Sequence, residues 1–178
     1  PSPQLFGYRS KITPHFQKPR NGEIGPIGFL HTSQRFNIID VPHCPIASDG
    51  INEQLTQTRQ EVRDKAANYK KGATLLLRES ETGEILTQSQ HVCEQQVGNL
   101  RFQFLAGDFF QNNPSILPAF AAYVREQVNA SGSKFLVDAY CGSGLFGLSC
   151  SESVENVAGI EVSEGSILWA RQNAEKNG

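Results

Sequence analysis

Residues 136–149 read LVDAYCGSGLFGLS, an apolar run that passes at once into Gly142, Gly144 and Gly147 in G-x-G-x-x-G spacing. A strand that feeds closely spaced glycines into a helix brings backbone N–H groups to the helix start with no side chain in the way. The flanking segments follow from that requirement. KFLVDAY (134–140) reads as a buried strand, LFGLSCSES as the helix, VENVAGIEVS (154–163) as a second buried strand and 166–176 as a second helix. ILPAFAAYVREQV (116–128) has helical spacing and precedes them all. Helix–strand–helix–strand–helix is the opening of a doubly wound α/β fold with a parallel sheet. Residues 108–178 are therefore expected to be the N-terminal part of a Rossmann-like domain, truncated because two parallel strands make an incomplete sheet.

The front of the chain has a different rhythm. FGYRSKITPHF (6–16) alternates with period 2, which predicts a strand, and Pro14 puts that strand at an edge or ends it. PRNGEIGPIG (19–28) is turn-rich, FNIIDV (36–41) is a strand and HCPIASDG (43–50) is a loop. Ile51, Leu55, Thr58, Val62 and Tyr69 recur at helical spacing, with Ser48 or Asp49 as cap and Lys70, Lys71 and Gly72 at the close. Short strands follow at 73–80, 84–88, 91–97 and 100–107. Residues 1–107 are thus expected to be a smaller α+β domain, an antiparallel sheet with one inserted helix.

Charge separates the two blocks. Residues 1–40 carry a net +3 and residues 138–178 a net −4, within a total of −2. A polyanion would meet the front block. No apolar run approaches the ~20 residues of a membrane helix. Cys44, Cys93, Cys141 and Cys150 lie far apart without a C-x-x-C pair, so neither a zinc site nor a disulfide framework is expected. Reduced thiols in an intracellular protein are the simplest reading. The chain begins at Pro1 and contains no methionine, which suggests that its native start is missing.

Two classes of nucleoside cofactor suit the glycine loop, a nicotinamide dinucleotide and S-adenosylmethionine. In both, Glu161 at the end of the second strand would hold the ribose hydroxyls. Asp138, near the end of the first strand, repels a pyrophosphate and suits the ammonium of S-adenosylmethionine. Glu161 also falls only 14 residues after Gly147, early for a dinucleotide site. Both observations favour the methyl donor.

GDFFQNNPSILPAFAAYV, VDAYCGSGLFGLS and GIEVSEGSILWARQNAEKNG together resemble three consecutive motifs of the RNA 5-methyluridine methyltransferases. GYRSKITPHF, IGFL and IIDVPHCPIA resemble the central domain of that family, nearest its fungal-type tRNA branch. The resemblance spans about residues 5–178. It implies an S-adenosylmethionine-dependent enzyme acting on carbon 5 of a uridine in RNA, in the T-loop of tRNA or alternatively in ribosomal RNA. It implies that Gln111 binds the donor through its amide and that Tyr140, Gly142, Gly144 and the backbone of Leu145 line its pocket. Asp138 and Glu161 would face its ammonium and ribose. Phe109 would stack on a flipped-out base, with Arg9 and Lys11 on phosphates. Where the family often has a small or polar residue, position 145 is leucine, which leaves a backbone contact available.

In that family a cysteine thiolate adds to carbon 6 of the uracil, and carbon 5 then attacks the methyl sulfonium. A carboxylate next removes the carbon 5 proton and the cysteine departs. None of the four cysteines matches the nucleophile's motif. Cys141, at a helix start that would lower its pKa, lies beneath the donor. Nucleophile and base are expected beyond Gly178. Cys44 corresponds to a cysteine that helps hold an iron–sulfur cluster in some bacterial relatives, and no cluster is expected here. An NAD(P)-dependent oxidoreductase and a non-catalytic RNA-binding module remain as rival classes.

Overall fold

A computed structural model describes residues 2–178. Two compact units divide the described chain, Gln4–Gln88 on the one hand and Ser89–Gly178 with residues 2–3 on the other. The expected division at 107/108 is therefore displaced, because the hairpin at 92–105 packs with the α/β elements that follow it.

In the first unit, β1 (Lys11–Ile12) and β2 (His15–Phe16) replace the single expected strand. Pro14 lies between them, with no N–H to give a ladder. Its carbonyl still accepts the Leu75 N–H at 2.7 Å. The chain consequently changes sheets at this point. β3 (Ile27–His31), β4 (Gln34–Asp40) and β5 (Ala73–Thr74) join β2 in an antiparallel sheet of order β4-β3-β2-β5. β6 (Leu77–Glu79) and β7 (Ile85–Leu86) join β1 in a second, of order β1-β6-β7.

The single long helix of this unit, α1 (Asp49–Asp64), is capped by Ser48, whose hydroxyl accepts the Ile51 N–H at 3.3 Å. It ends earlier than the spacing predicts, and a 3-10 turn over Ala66–Asn68 carries the chain on. Ile51 and Leu55 are buried with Ile12, Ala47 and Leu77. Val62 is buried with Phe16, Ile24 and Ile27. Arg59, between them, is buried too. It makes a bidentate pair with Asp40 at 2.8 and 2.9 Å and also donates to the Ile27 and Val41 carbonyls. Asp40 in turn accepts the Ile27 N–H at 2.8 Å. This cluster pins α1 to the β3–β4 ladder.

The second unit starts with the hairpin β8 (Val92–Val97) and β9 (Leu100–Leu105). Phe102 and Phe104 point into its core. α2 (Leu117–Ser131) leads to β10 (Phe135–Asp138), then come α3 (Leu145–Ser149), β11 (Asn156–Gly159) and α4 (Glu164–Asn177). β10 and β11 pair in parallel, with Asp138 opposite Gly159. The α/β order is the expected one, but the strands are not buried as expected. Phe135 and Val137 are 57% and 51% exposed, while the alternate Leu136 and Asp138 are partly buried. Among the described residues, no helix is long and apolar enough to cross a membrane.

Burial raises the Asp40 carboxyl pKa, but hydrogen bonds from Arg59 and Ile27 and the charges of Arg59 and Arg63 outweigh it and hold the group below 3.8. A lowered folded pKa stabilises the protein fully above the ordinary value and is lost as pH falls through the folded one. Asp40→Asn is expected to cost about 1–3 kcal/mol at neutral pH, since it leaves the buried guanidinium without its counter-charge. The variant should also lose part of the parent's destabilisation below about pH 4. Urea unfolding of both proteins across pH 3–7 reads both effects.

Candidate functional site

The glycine loop takes its shape from its backbone. Gly142 has φ 51° and Gly144 φ 93°, left-handed values that β-carbon sterics disfavour in other residues. Gly144 N–H donates to the Cys141 carbonyl at 2.8 Å and caps α3. The strand pairing continues past β10 and β11, through Ile160 N–H to the Asp138 carbonyl and Cys141 N–H to the Ile160 carbonyl, at 2.8 and 3.1 Å. Gly159 is required by contact, because a β-carbon there would come within 2.8 Å of the Cys141 sulfur.

Three side chains hold this loop. Glu161 accepts the Gly142 N–H on Oε2 at 3.1 Å and the Ser163 N–H on Oε1 at 2.9 Å. Asp138 Oδ2 accepts the Gly147 N–H at 3.1 Å. Asn173, fully buried on α4, donates from Nδ2 to the Ser143 carbonyl at 2.9 Å. The same amide accepts the Gln103 N–H at 2.7 Å and donates to the Gln103 carbonyl at 3.0 Å. One turn on, Asn177 repeats the pairing with Arg101, at 2.9 and 2.8 Å. α4 thus docks on the free edge of β9 through two asparagines. Sequence reasoning overlooked this role, although Asn173 and Asn177 stand at i, i+4 on one helix face.

Glu161 is held below its ordinary pKa, first by the Ser163 N–H and then, against a desolvation cost, by the Gly142 and Val162 N–H groups. It is an ionised acceptor at neutral pH, and each oxygen keeps a lone pair for a further donor. Cys141 corrects the sequence reading. Its thiol is pushed up, first by burial and then by the charges of Asp138 and Glu161, not lowered by the helix start. Cys150 is raised as well, by burial first, with Arg125 opposing and Asp138 adding. All four cysteines are free and buried.

The expected ligand-facing residues divide by exposure. Tyr140 is 92% exposed and Phe109 74%, whereas Leu145 is buried, so only its backbone can face a ligand. Gln111 is half-buried. It follows Phe110, whose ring stacks on Phe104 at 4.1 Å between centroids. Ile160 and Val162 flank Glu161 as exposed apolar groups that the sequence reading did not single out. Asp138, Cys141, Gly144, Gly147 and Val157 line a cavity of about 310 Å³. In the first unit, Arg9 is half-buried and its Nε donates to the Lys11 carbonyl at 2.8 Å, while Lys11 is half-buried in β1.

A strand, a glycine loop held by acids at both ends, and a second parallel strand followed two residues on by an ionised glutamate define the first half of a Rossmann-like α/β unit. Residues 26–178 match the model of the tRNA (uracil-5-)-methyltransferase family. The chain belongs to that family. It is 43% identical to the tRNA (uracil(54)-C(5))-methyltransferase of Schizosaccharomyces pombe, over 99% of this chain and 36% of that protein. The enzyme of the same description from Saccharomyces cerevisiae is 35% identical, over 99% of this chain and 37% of that protein. The chain thus spans little more than a third of the length of these relatives. Among solved structures, the tRNA (uracil-54, C5)-methyltransferase of Pyrococcus abyssi, in complex with S-adenosyl-L-homocysteine, shares the fold. The TM-score is 0.71 at 20% identity, covering 99% of this chain and 55% of that one.

Asn173→Ala is expected to destabilise the protein by about 2–4 kcal/mol, because it strands buried groups of β9 and of the glycine loop. Asn173→Asp should be no milder, since a carboxylate cannot donate to the Ser143 and Gln103 carbonyls. Chemical denaturation of the two variants checks both statements.

Proposed function

We propose that this chain binds S-adenosylmethionine over the glycine loop and serves in transfer of its methyl group to carbon 5 of a uridine in RNA, the T-loop uridine of tRNA. The observation that carries the reading is the Glu161 carboxylate, ionised and fixed against Gly142 two residues beyond β11. Family membership and the two fungal relatives support the uridine and the tRNA.

The residues present fit the donor. Glu161 has free lone pairs for the two ribose hydroxyls, the N–H groups of the loop approach without side chains, and Tyr140 offers an exposed ring beside them. Asp138 keeps one oxygen, Oδ2, on the Gly147 N–H. In this reading its charge attracts the ammonium while it braces the loop. Gln111 adds an amide contact. Bound there, S-adenosylmethionine would supply an electrophilic methyl sulfonium. Phe109, exposed beside buried Phe110, would receive the flipped base, and Arg9 and Lys11 would meet phosphates.

The nucleophile of this chemistry is a cysteine thiolate that adds to carbon 6, and none of the four cysteines here is proposed for it. Cys141 and Cys150, buried thiols with raised pKa values, stay protonated at neutral pH. The like-charge repulsion that Asp138 would impose on a pyrophosphate argues against the dinucleotide alternative.

Isothermal titration of the intact protein with S-adenosylmethionine and with NAD tests the reading. The methyl donor is expected to bind and the dinucleotide not. Glu161→Ala should weaken donor binding about tenfold or more, and Gln111→Ala several-fold, as for lost hydrogen bonds to a charged and a neutral group. Unchanged affinity in both variants would remove the assignment.

A further inference from the structure

The outer face of the four-stranded sheet carries an apolar and basic surface that the reading above does not use. Phe36 and Ile38 stand two apart on β4, so they share a face. Ile38 pairs directly with Leu30 on β3. Phe36, on the edge strand β4, is 87% exposed and Leu30 50%, so the two leave an apolar patch open on this face. His15 lies on β2 with its Nδ1 at 2.8 Å from the Thr74 hydroxyl of β5. These residues line one open groove of about 720 Å³, together with Lys18 and Lys71. Gln17 donates to the Phe36 carbonyl and so ties the start of that rim to β4.

Charge decides what fits. Both lysines are exposed, and among the described residues no carboxylate lines the groove. The acid further along β4, Asp40, is neutralised by Arg59. A protein surface would leave two lysines to be desolvated, and a membrane would need a larger basic field. An exposed aromatic ring that shares one groove with two cations matches a nucleotide, whose base stacks on the ring while neighbouring phosphates meet the charges. Arg9 and Lys11, being half-buried, are poorer phosphate ligands than Lys18 and Lys71.

We infer that this sheet face binds an unpaired nucleotide of the RNA substrate, with its base on Phe36 and the flanking phosphates on Lys18 and Lys71. The inference rests on RNA being the substrate and adds a contact on the unit that does not carry the glycine loop.

The test is tRNA binding by fluorescence anisotropy on the intact protein, with donor binding by calorimetry and the melting temperature measured alongside. Phe36→Ala is expected to raise the tRNA Kd roughly fivefold or more, and Phe36→Trp to retain tight binding. The double change Lys18→Gln with Lys71→Gln should lower the slope of log K against log salt by about 1 to 1.5, as for two phosphate contacts. Donor affinity and melting temperature should stay at the parent's values in all three. A parent-like tRNA Kd and salt slope overturns the inference and leaves the donor site standing. Lower melting temperatures with tRNA binding retained also overturn it, and assign the face to a protein segment. A parent protein that binds the donor but no tRNA overturns the substrate reading, and this inference with it.

Discussion

One side-chain amide joins three parts of the α/β unit. Asn173 satisfies both backbone groups of Gln103 and the carbonyl of Ser143 from a position with no solvent exposure. A helix cannot extend a sheet, because its own N–H and C=O groups are spent internally. α4 circumvents this with asparagine, which carries a donor and an acceptor in the same arrangement as a peptide. Asn177 repeats the device one turn later. The edge of β9 is closed by a helix face, and the glycine loop is attached to that closure. Loop, hairpin and α4 are therefore bound to one another before any ligand arrives.

The loop needs such support because two of its glycines adopt left-handed backbone values and α3, at five residues, is too short to hold it alone. Each of three side chains fixes a different backbone group: Glu161 at Gly142, Asn173 at Ser143 and Asp138 at Gly147. Two of the three are anions near one small volume. Their charges disfavour a thiolate at Cys141, as its raised pKa reflects, and favour a cationic ligand over an anionic one. The same two carboxylates thus set the shape of the loop and the sign of the charge beside it. Preorganisation of this kind lowers the entropy cost of binding.

How much of this was legible in the sequence depends on whether a local signal existed. The glycine spacing, the order of helices and strands and the terminal Glu161 are local patterns, and the structure has them. Ser48 as a cap is local too. Arg59 is not, because a charge at a buried helix position reads as a solvated residue until Asp40 is known to face it from 19 residues away. Pro14 was correctly read as a strand breaker, but a missing N–H does not say that the chain will change sheets there. The unit boundary at 88/89 was hidden for a similar reason. An antiparallel hairpin looks alike whichever neighbour it packs with, and only the pairing of β9 with Asn173 and Asn177 assigns it. The exposure of Phe135 and Val137 shows the limit of an apolar run, which reports that a face is to be covered and not what covers it.

Adjacent aromatics illustrate how packing converts such patterns into a site. Phe110 is stacked on Phe104 and tilted against Phe102, both in the hairpin, so the chain is anchored at that residue. Phe109, one residue earlier, is left in solvent, and Gln111, one residue later, is partly covered. The hairpin, bound to α4 and through it to the glycine loop, therefore sets where an exposed ring and an amide are presented. Burial of one phenylalanine yields stability, and the position it imposes on its neighbours yields a surface for recognition. The front unit repeats the logic on a sheet, where Phe16 and Ile27 fill the core while the alternate positions, at His15 and Leu30, stay open. In both units the residues proposed to meet RNA are those that strand or chain alternation leaves over once the core is filled.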